Sequence, residues 1–351
     1  MTNDAFGACP TPLGRYDRIV LGHGSGGTLS AALVKEIFLA AFDDPTLAAL
    51  EDQATLAPPP AGHRLAVTTD AFVVSPAEFP GGDIGVLAVA GTVNDLVVGG
   101  ARPRYLTASF ILEEGTPIDL VRRITASMAS TSRHAGVAVV AGDTKVVERG
   151  KGDGIFVSTT GVGFVPPGRD LSASRARPGD RVLVSGTLGD HGIAIMCARE
   201  GLELETTLQS DVAPLGSLVE AMLEASPNIR CMRDPTRGGL ASALTEIAEA
   251  SRVGAKLDEA PIPLKREVRA ACEVLGLDPL YVACEGRLVA IVPPEDADAT
   301  LRAMRAHELG RDAAIVGTIV DTHAGRVSMR AAVGGERFVM RLSGEQLPRI
   351  C

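Results

Sequence analysis

The most reactive side chain in this sequence is the thiol of Cys351, the last of the 351 residues. A thiolate is a strong nucleophile, and it needs access to its reaction partner more than it needs packing. The preceding segment contains Gly344 and Pro348, which argue against a packed element. We therefore expect residues 342–351 to form a flexible tail that carries a reactive cysteine. A frayed terminus with an incidental cysteine remains the alternative, because chain termini are commonly poorly ordered.

Four aspartates form a second set of residues that could take part in chemistry. Asp70, Asp95 and Asp143 end or follow predicted strands or interrupt an apolar helix, and Asp52 precedes the first clear strand. Mg²⁺ prefers hard oxygen ligands and takes only one or two carboxylates, completing its shell with water and phosphate oxygens. The four aspartates are therefore predicted ligands of a Mg²⁺–polyphosphate site. Their spacing alone also fits ordinary acidic turn residues.

Glycine-rich segments offer places for phosphate. Residues 21–28 (LGHGSGGT) lead into a predicted amphipathic helix at 29–42 and place Gly24, Gly26 and Gly27 in one run. Glycines expose backbone N–H groups and permit positive φ angles, which suits close approach to phosphate. The lysine of a Walker motif is missing, so a flexible lead-in is equally compatible. Residues 234–239 (DPTRGG) predict a loop that opens onto a helix N-terminus, which is either an anion site or a capping turn.

The overall composition limits the possible functions. The chain is 46% hydrophobic and 22% charged, as in a soluble globular protein, and its length favours two domains. A net charge of −9 argues against a surface for duplex nucleic acid or an anionic membrane. No apolar run approaches about 20 residues and the first 16 residues lack a signal pattern, so we expect a cytoplasmic protein. The six cysteines show no CxxC pair and no zinc spacing.

Hydrophobic periodicity predicts alternating strands and helices, which favours α+β or α/β layers. A nearly apolar segment at 83–99 is predicted to be a buried helix that contains Asp95. The strand at 137–141 is predicted to end just before Gly142 and Asp143. The predicted domain organisation is a loose N-terminus at 1–20, a first domain at 21–165, a linker at 166–179, a second domain at 180–341 and the tail at 342–351.

Seven segments together resemble the HypE family of hydrogenase maturation factors, within the PurM-like (AIR synthase-related) superfamily. The resemblance covers the chain from about residue 21 to residue 351. The NDL and GDT pieces are shared across the superfamily, whereas GDTKVV with the terminal PRIC is typical of the HypE family. The segments are 23–27 (HGSGG), 80–85 (PGGDIG), 91–96 (GTVNDL), 142–147 (GDTKVV), 185–192 (SGTLGDHG), 234–239 (DPTRGG) and 348–351 (PRIC).

The resemblance implies a two-domain α+β PurM-like fold, with a sheet-forming N-terminal domain that pairs with a second copy in a homodimer. It also implies ATP-dependent dehydration of an S-carbamoyl group on the terminal cysteine to S-cyano, with Mg²⁺ as the second cofactor. The implied partners are the carbamoyltransferase HypF, which supplies the carbamoyl group, and the HypC–HypD complex, which receives the cyano group for the iron centre of [NiFe]-hydrogenase.

The resemblance also implies roles for individual residues. Cys351 carries the reacting group, while Lys145 and Glu285 handle the thiocarboxamide, with Glu285 as the plausible base. Both residues follow apolar stretches, so we expect both to face a partly desolvated pocket. The remaining residues are expected to bind the cofactor, some through the metal: Gly24, Gly26, Gly27, Asp52, Asp70, Asp83, Asp95, Asp143, Asp190 and Asp234.

One departure from the family pattern and two competing functions remain open. The family usually has Asn-Glu-Gly-Lys where this chain has residues 284–287 (CEGR), so a neighbouring amide is lost and the basic group changes geometry. A thiamine-monophosphate kinase or a selenophosphate synthetase would share the aspartates but would not need Cys351. A thiol carrier or scaffold would bind nucleotide and dock a partner through the tail without catalysing a reaction.

Overall fold

The chain folds into two α+β halves, and the computed structural model describes residues 16–200, 207–341 and 349–351. Most of the predicted loose N-terminus, Cys9 included, and residues 342–348 of the predicted tail lie outside these ranges. The α-helices in chain order are α1 (Thr28–Leu33), α2 (Ala40–Phe42), α3 (Pro45–Ala48), α4 (Ile84–Val98), α5 (Ile118–Ala135), α6 (Asp190–Glu200), α7 (Gly216–Ala225), α8 (Gly239–Ser251), α9 (Arg266–Leu275) and α10 (Pro294–Ala306). A π-helical segment, Val34–Leu39, joins α1 to α2.

The N-terminal half is organised around a four-stranded sheet of order β1-β6-β4-β5, in which β4 and β5 are parallel and the other pairs antiparallel. A small two-stranded sheet precedes α4. The strands of this half are β1 (Arg64–Phe72), β2 (Glu78–Phe79), β3 (Gly82–Asp83), β4 (Arg102–Glu113), β5 (Ala138–Val147) and β6 (Ile155–Val165).

Helix α4 is almost entirely buried because it packs between the sheet on one side and α5 and the C-terminal half on the other. Its sequence is apolar nearly all round, which is what such a position requires. The prediction of a buried helix at 83–99 is therefore confirmed to within one residue at each end. The polar Asn94 and Asp95 lie within this helix rather than at its end.

The sheet face opposite the helices is open within a single chain. Leu65 and Val67 on β1 and Ile111 on β4 are exposed, although they are large and apolar. The strand register places Ser109 opposite Asp143 and Ile111 opposite Lys145, so both β5 residues lie on this same face. We call this surface, with Leu65, Val67, Ile111, Asp143 and Lys145, the open sheet face.

The C-terminal half is built on a seven-stranded sheet of order β13-β12-β9-β11-β7-β10-β8. Strand β10, which lies between β7 and β8, is buried at every position, because both faces of the sheet are covered there. The strands are β7 (Arg181–Val184), β8 (Cys231–Arg233), β9 (Gly254–Asp258), β10 (Val289–Val292), β11 (Ala314–Val320), β12 (Val327–Arg330) and β13 (Glu336–Val339).

Two features differ from the sequence prediction. Strand β5 does not end before Asp143 but continues to Val147, because the β-branched Thr144, Val146 and Val147 favour an extended backbone. Asp70 likewise lies inside β1, so the expectation that Asp70 and Asp143 mark strand ends is wrong, whereas Asp95 does interrupt the apolar helix α4 as predicted. The short strands β8 and β9 were not predicted, since three to five residues carry too little periodicity to be recognised.

The two halves share one continuous core of buried apolar side chains. The predicted linker is tied to both halves, because Arg169 and Arg102 both hydrogen-bond to Glu220 on α7, Arg102 with distances of 3.2 and 3.1 Å. Within the described residues, no helix has the length and apolar character needed to cross a membrane.

Candidate active site

A small cavity of about 90 Å³ lies between the two halves, next to the side chain of Cys351. We call it the thiol cavity. It collects residues from β1, from α4, from the loop before α8 and from the tail, and it brings together five residues that the sequence singled out. Its lining is Asp70, Ala71, Phe72, Gly91, Asp95, Asp234, Thr236, Arg237, Glu285 and Cys351.

The last three residues are seated against the segment that follows β1. The backbone N–H of Val73 donates to the main-chain oxygen of Cys351, and that of Ser75 donates to the carbonyl of Arg349, both at 3.3 Å. The two bonds join residues in opposite chain order, so the tail runs antiparallel to this segment. The Ile350 side chain is only 4% exposed and joins the core, while Arg349 forms an ion pair with Asp153. These contacts hold the Cys351 thiol at the cavity.

Glu285 is a buried carboxyl group in the thiol cavity. Burial raises its pKa well above the usual range, and repulsion from Asp234 and Asp211 adds to this effect. Its Oε1 atom has no hydrogen-bond partner in the described part of the chain, although buried polar atoms are nearly always paired. The cavity that contains the thiol therefore has a hydrogen-bond acceptor left free among the described residues, which a bound group with a donor could satisfy.

Backbone contacts from both halves hold Glu285 in place. Its N–H donates to Asp211 at 3.2 Å, and its carbonyl accepts from the Asn94 side chain at 3.2 Å. Asn94 also donates to the carbonyl of Ala213 and accepts from the N–H of Leu215. A Cβ at Gly286 would lie 1.7 Å from the Asp211 carbonyl oxygen, so only glycine permits this close approach.

The aspartates of the thiol cavity repel one another. Burial and the charge of Asp95 raise the pKa of Asp70, and the same two causes raise the pKa of Asp234 to about 7. Hydroxyl groups compensate in part, since Thr92 donates to Asp70 at 3.1 Å and Thr68 donates to Asp95 at 2.7 Å. Such a crowded set of carboxylates is suited to a cation. Among the described residues, however, no three His, Cys, Asp or Glu side chains converge closely enough to hold a metal by themselves.

Arg237 is a cavity residue that sequence reasoning did not select. It lies with Thr236 in the loop that leads into α8, and its charge favours the ionised form of Asp70. The predicted loop onto a helix N-terminus is present, with Gly238 at φ 78° before α8 begins. The DPTRGG motif was the available signal. Asn94 and Asp211 were also missed, because their partners lie 74 to 191 residues away in the sequence.

A second cavity, of about 290 Å³, lies wholly within the N-terminal half. We call it the glycine-loop cavity. Its walls are mostly apolar side chains from α1 to α3 and from β4 and β5, and its rim carries Gly24, Gly26, Asp143 and Lys145. The Lys145 ammonium group lies 3.0 Å from Asp143 and its side chain is 66% exposed. The expectation that Lys145 faces a desolvated pocket is therefore wrong for a single chain, and Lys145 is separate from Cys351.

Four predicted residues lie outside both cavities. Asp52 is exposed in the segment before β1, and Gly27 is the N-cap of α1. Asp83 is the N-cap of α4 and accepts from the N–H groups of Gly85 and Val86. Asp190 begins α6, where it is buried and paired with Lys265 at 2.7 Å. These positions give Asp83 and Asp190 structural contacts, and a cofactor role for any of the four stays a prediction.

Known proteins with the same organisation were found by comparison. The AIR synthase related protein family matches in two parts, its N-terminal domain at residues 50–165 and its C-terminal domain at residues 177–330. Carbamoyl dehydratase HypE from Cupriavidus necator is 57% identical over 334 residues, which is 95% of each chain.

Two solved structures extend this likeness to the fold. The crystal structure of the hydrogenase maturation protein HypE in complex with ATP is 47% identical, with a TM-score of 0.91, over 95% of this chain and 99% of that one. The crystal structure of a HypE–HypF complex contains a chain that is 47% identical, with a TM-score of 0.77, over 89% of this chain and 100% of that one. With these identities over nearly its whole length, the chain belongs to the carbamoyl dehydratase HypE family.

Proposed function

We propose that this chain dehydrates an S-carbamoyl group carried on its own Cys351 to an S-cyano group, at the expense of ATP. The observation that carries the proposal is the position of the Cys351 thiol in one small cavity with the unpaired Oε1 of Glu285. A thiocarboxamide on that sulfur brings N–H donors into a cavity that contains a buried acceptor.

The reaction needs ATP because the carbonyl oxygen of a thiocarboxamide is a very poor leaving group. Transfer of the γ-phosphoryl group to that oxygen gives an imidate phosphate and ADP, with loss of one N–H proton. Breaking the C–O bond then releases inorganic phosphate, and loss of the second N–H proton leaves the nitrile. The sum is S-carbamoyl and ATP going to S-cyano, ADP, phosphate and one proton. The protein must align the phosphoryl group with the oxygen and accept protons.

Glu285 is suited to the proton transfers. It accepts hydrogen bonds from the N–H groups, and its raised pKa makes it a stronger base once ionised. Thr236 and Arg237 line the same cavity, in the loop that leads into the N-terminus of α8, and they are suited to the negative charge that develops on the transferred phosphoryl group. Both features belong to the C-terminal half, whereas Asp70 and Asp95 belong to the N-terminal half.

ATP and Mg²⁺ are the proposed cofactors. Asp70, Asp95 and Asp234 would hold the cation together with phosphate oxygens and water, which agrees with the small number of carboxylates that Mg²⁺ takes. Mg²⁺ would offset the charge of the polyphosphate. The glycine-loop cavity has an apolar wall that suits a purine ring, and it has Gly24, Gly26 and Lys145 at its rim for phosphates. Support for ATP also comes from the HypE structure solved with ATP.

A homodimer would bring the two cavities into one site. The open sheet face exposes Leu65 and Val67 by 58% and 61%, which is unusual for large side chains aligned on one surface. A second copy on this face would bury them and would also cover Lys145. We infer that Lys145 of one subunit acts at the thiol cavity of its partner.

The proposed protein partners are HypF, as the source of the carbamoyl group, and the HypC–HypD complex, as the acceptor of the cyano group. The complex of a relative with HypF supports the first of these. We place the reaction in the cytoplasm, because it consumes ATP and needs a reduced thiol.

The experiment that tests the function measures the mass of the intact protein. The chain is incubated with ATP, Mg²⁺, carbamoyl phosphate and a HypF transferase, and the S-carbamoyl and S-cyano forms are distinguished by one water. Wild type and a Cys197→Ala control should carry the cyano group, whereas Cys351→Ala should carry neither adduct. ATP turnover with an unmodified Cys351 would instead support a kinase of the same fold. Carbamoylation without ATP-dependent loss of water would support a thiol carrier.

A further inference from the structure

We propose that His191 is a positioning residue for the dehydration, because it fixes the carbonyl of Ile350 and thereby orients the adjoining Cys351 in the thiol cavity. This proposal rests on the proposed function for its catalytic consequence, but its structural part does not depend on it. His191 belongs to the GDHG segment, and it neither lines the thiol cavity nor takes part in the proposed proton and phosphoryl transfers.

The contact between His191 and the tail is short and completely buried. The Nε2 atom of His191 lies 2.6 Å from the carbonyl oxygen of Ile350, and the imidazole ring has no solvent exposure. The carbonyl of Arg349 accepts from the backbone N–H of Ser75 and from Arg199, a long side chain that also donates to the carbonyl of Ser75. His191 therefore supplies a rigid side-chain contact one peptide bond from the reacting residue.

Neighbouring groups determine which nitrogen of His191 donates. The N–H of Val212 donates to the Ser210 hydroxyl oxygen at 3.1 Å, which leaves the hydroxyl proton to point at Nδ1 of His191, 2.8 Å away. The assigned tautomer thus carries its proton on Nε2 and donates it to Ile350. Burial lowers the pKa of His191, in keeping with a neutral ring.

The PGGD segment fits closely around the same group. Phe79 packs edge-on against the His191 ring, with 5.5 Å between centroids, and the N–H of Ser210 donates to the carbonyl of Pro80 at 2.8 Å. A Cβ at Gly81 would lie 2.8 Å from the Ser210 nitrogen, and Gly81 has φ 95°, so another residue would push Ser210 away. The His191 ring is therefore held by Phe79 and Ser210, independently of its contact with the tail.

The chemical benefit is the orientation of Cys351. The buried Ile350 side chain and the backbone hydrogen bonds to Arg349 and Cys351 anchor the tail on either side of the peptide unit that joins Ile350 to Cys351. The hydrogen bond from His191 fixes the carbonyl of that peptide unit itself and so keeps the sulfur in the thiol cavity with Glu285. A displacement of about 1 Å in a reacting group can cost about 10²-fold in rate.

The test compares His191→Phe, which keeps a ring but loses the donor, with His191→Gln, which keeps an N–H donor near the Nε2 position. The first measurement is the rate at which iodoacetamide alkylates Cys351, resolved by the mass of the C-terminal peptide and made without ATP or carbamoyl donor. His191→Phe should raise this rate roughly fivefold to tenfold, the worth of one net hydrogen bond. His191→Gln should remain near wild type.

A matched control separates positioning from a general loss of stability. Ser226→Ala removes a hydrogen bond that another fully buried side chain donates, 2.7 Å to Asp296, at a position that does not line the thiol cavity. It should lower the melting temperature without changing alkylation of Cys351. If His191→Phe does not fold, Ser210→Ala gives the same test, because loss of its hydroxyl releases the preference for the Nε2 proton.

The second measurement is single-turnover dehydration of the protein carbamoylated on Cys351. His191→Phe should be slower by about 10- to 100-fold, with unchanged ATP affinity, and His191→Gln should recover most of the rate. Alkylation of His191→Phe at the wild-type rate, or a glutamine variant that behaves like phenylalanine, would overturn the proposal. A failure of the proposed function would abolish dehydration in wild type as well and would leave the alkylation result intact.

Discussion

The predicted site residues are distributed over two cavities, the thiol cavity and the glycine-loop cavity, which differ in size and in lining. The thiol cavity is small, contains acidic groups and takes its lining from both halves of the chain, whereas the glycine-loop cavity is about three times larger, mostly apolar and formed by the N-terminal half alone. The first is suited to a one-carbon group and phosphoryl oxygens, and the second to a planar ring.

The difference shows that residues assigned to the same reaction need not lie near one another within a single chain. Glu285 and Cys351 line one cavity, and Lys145 lies at the other, on an open sheet face. A residue's chemistry follows from its local environment, so a buried carboxyl and an exposed ammonium cannot be treated as a pair without a second subunit. The following predictions test this division.

The largest expected effect is that of Glu285→Gln. Loss of a general base costs about 10²- to 10⁴-fold, so the S-cyano product should form at a rate lower by that factor. Carbamoylation of Cys351 and ATP binding should persist, because the amide has the same shape. The measurement is the time course of intact mass, and cyanation at the wild-type rate would make Glu285 a structural residue.

The second prediction concerns Lys145 across the dimer. Lys145→Ala should reduce dehydration by about 10²-fold through lost charge stabilisation. A heterodimer of Lys145→Ala with Cys351→Ala, isolated through two different tags, should recover about half of the wild-type rate, because one of two shared sites is complete.

The control for this experiment pairs Glu285→Gln with Cys351→Ala. Both residues line the same cavity of one chain, so this heterodimer has no complete site and should stay inactive. A Lys145 heterodimer that is equally inactive would show that Lys145 acts within its own chain.

The third prediction concerns the open sheet face. Val67→Glu places a charge in the proposed interface and should give a monomer with little dehydratase activity, measured by light scattering after size exclusion. Val274→Glu is the matched control, since Val274 is also exposed, by 76%, but lies on α9 away from this face. Dimers of equal stability in both variants would contradict the assignment of the interface.

The fourth prediction separates the aspartates of the thiol cavity from Asp52. Replacing Asp70, Asp95 or Asp234 with Asn should weaken Mg²⁺-dependent ATP binding by about tenfold, since each carboxylate is one of few ligands. The sequence also predicts Asp52 as a Mg²⁺ ligand, but its position outside both cavities leads us to expect that Asp52→Asn binds like wild type. Calorimetry with and without EDTA measures the difference, and an equal loss in Asp52→Asn would place the metal elsewhere.

The smallest expected effect concerns the ion pairs of Glu220 with Arg169 and Arg102, which connect the two halves. Arg169 and Arg102 lower the pKa of Glu220 from 4.5 to about 2. A depressed carboxyl pKa stabilises the fold above pH 4.5, and this contribution is lost as the pH falls toward 2. Because Glu220 is partly exposed, we expect about 1 kcal/mol. Urea unfolding should show wild type more stable than Glu220→Gln at pH 7, with the gap shrinking below pH 4.5. A gap that does not change with pH would contradict this.

Much of the fold could be predicted from the sequence because its cause is local. The apolar segment of α4 and the glycines before α8 set those helices within a residue or two. The site was predictable only where a motif marked it. Arg237 looked like a loop residue, and Asn94 gains its role from the Glu285 carbonyl, 191 positions away. The length of β5 was underestimated because Asp143 and Lys145 resemble the polar end of a strand, although pairing with β4 continues through both.

The three hydrogen bonds of Asn94 make the assembly of the thiol cavity depend on close contact between the two halves. Its amide spans from α4, next to Asp95, to the carbonyls of Ala213 and Glu285 and the N–H of Leu215. If the halves separated even slightly, this buried amide would lose its partners at a cost of about 1–3 kcal/mol for each unsatisfied group. The same movement would draw Glu285 away from Asp95. We therefore expect a molecule wedged between the halves to inhibit the proposed dehydration without touching the thiol, because it would separate Glu285 from Asp70 and Asp95 in one step.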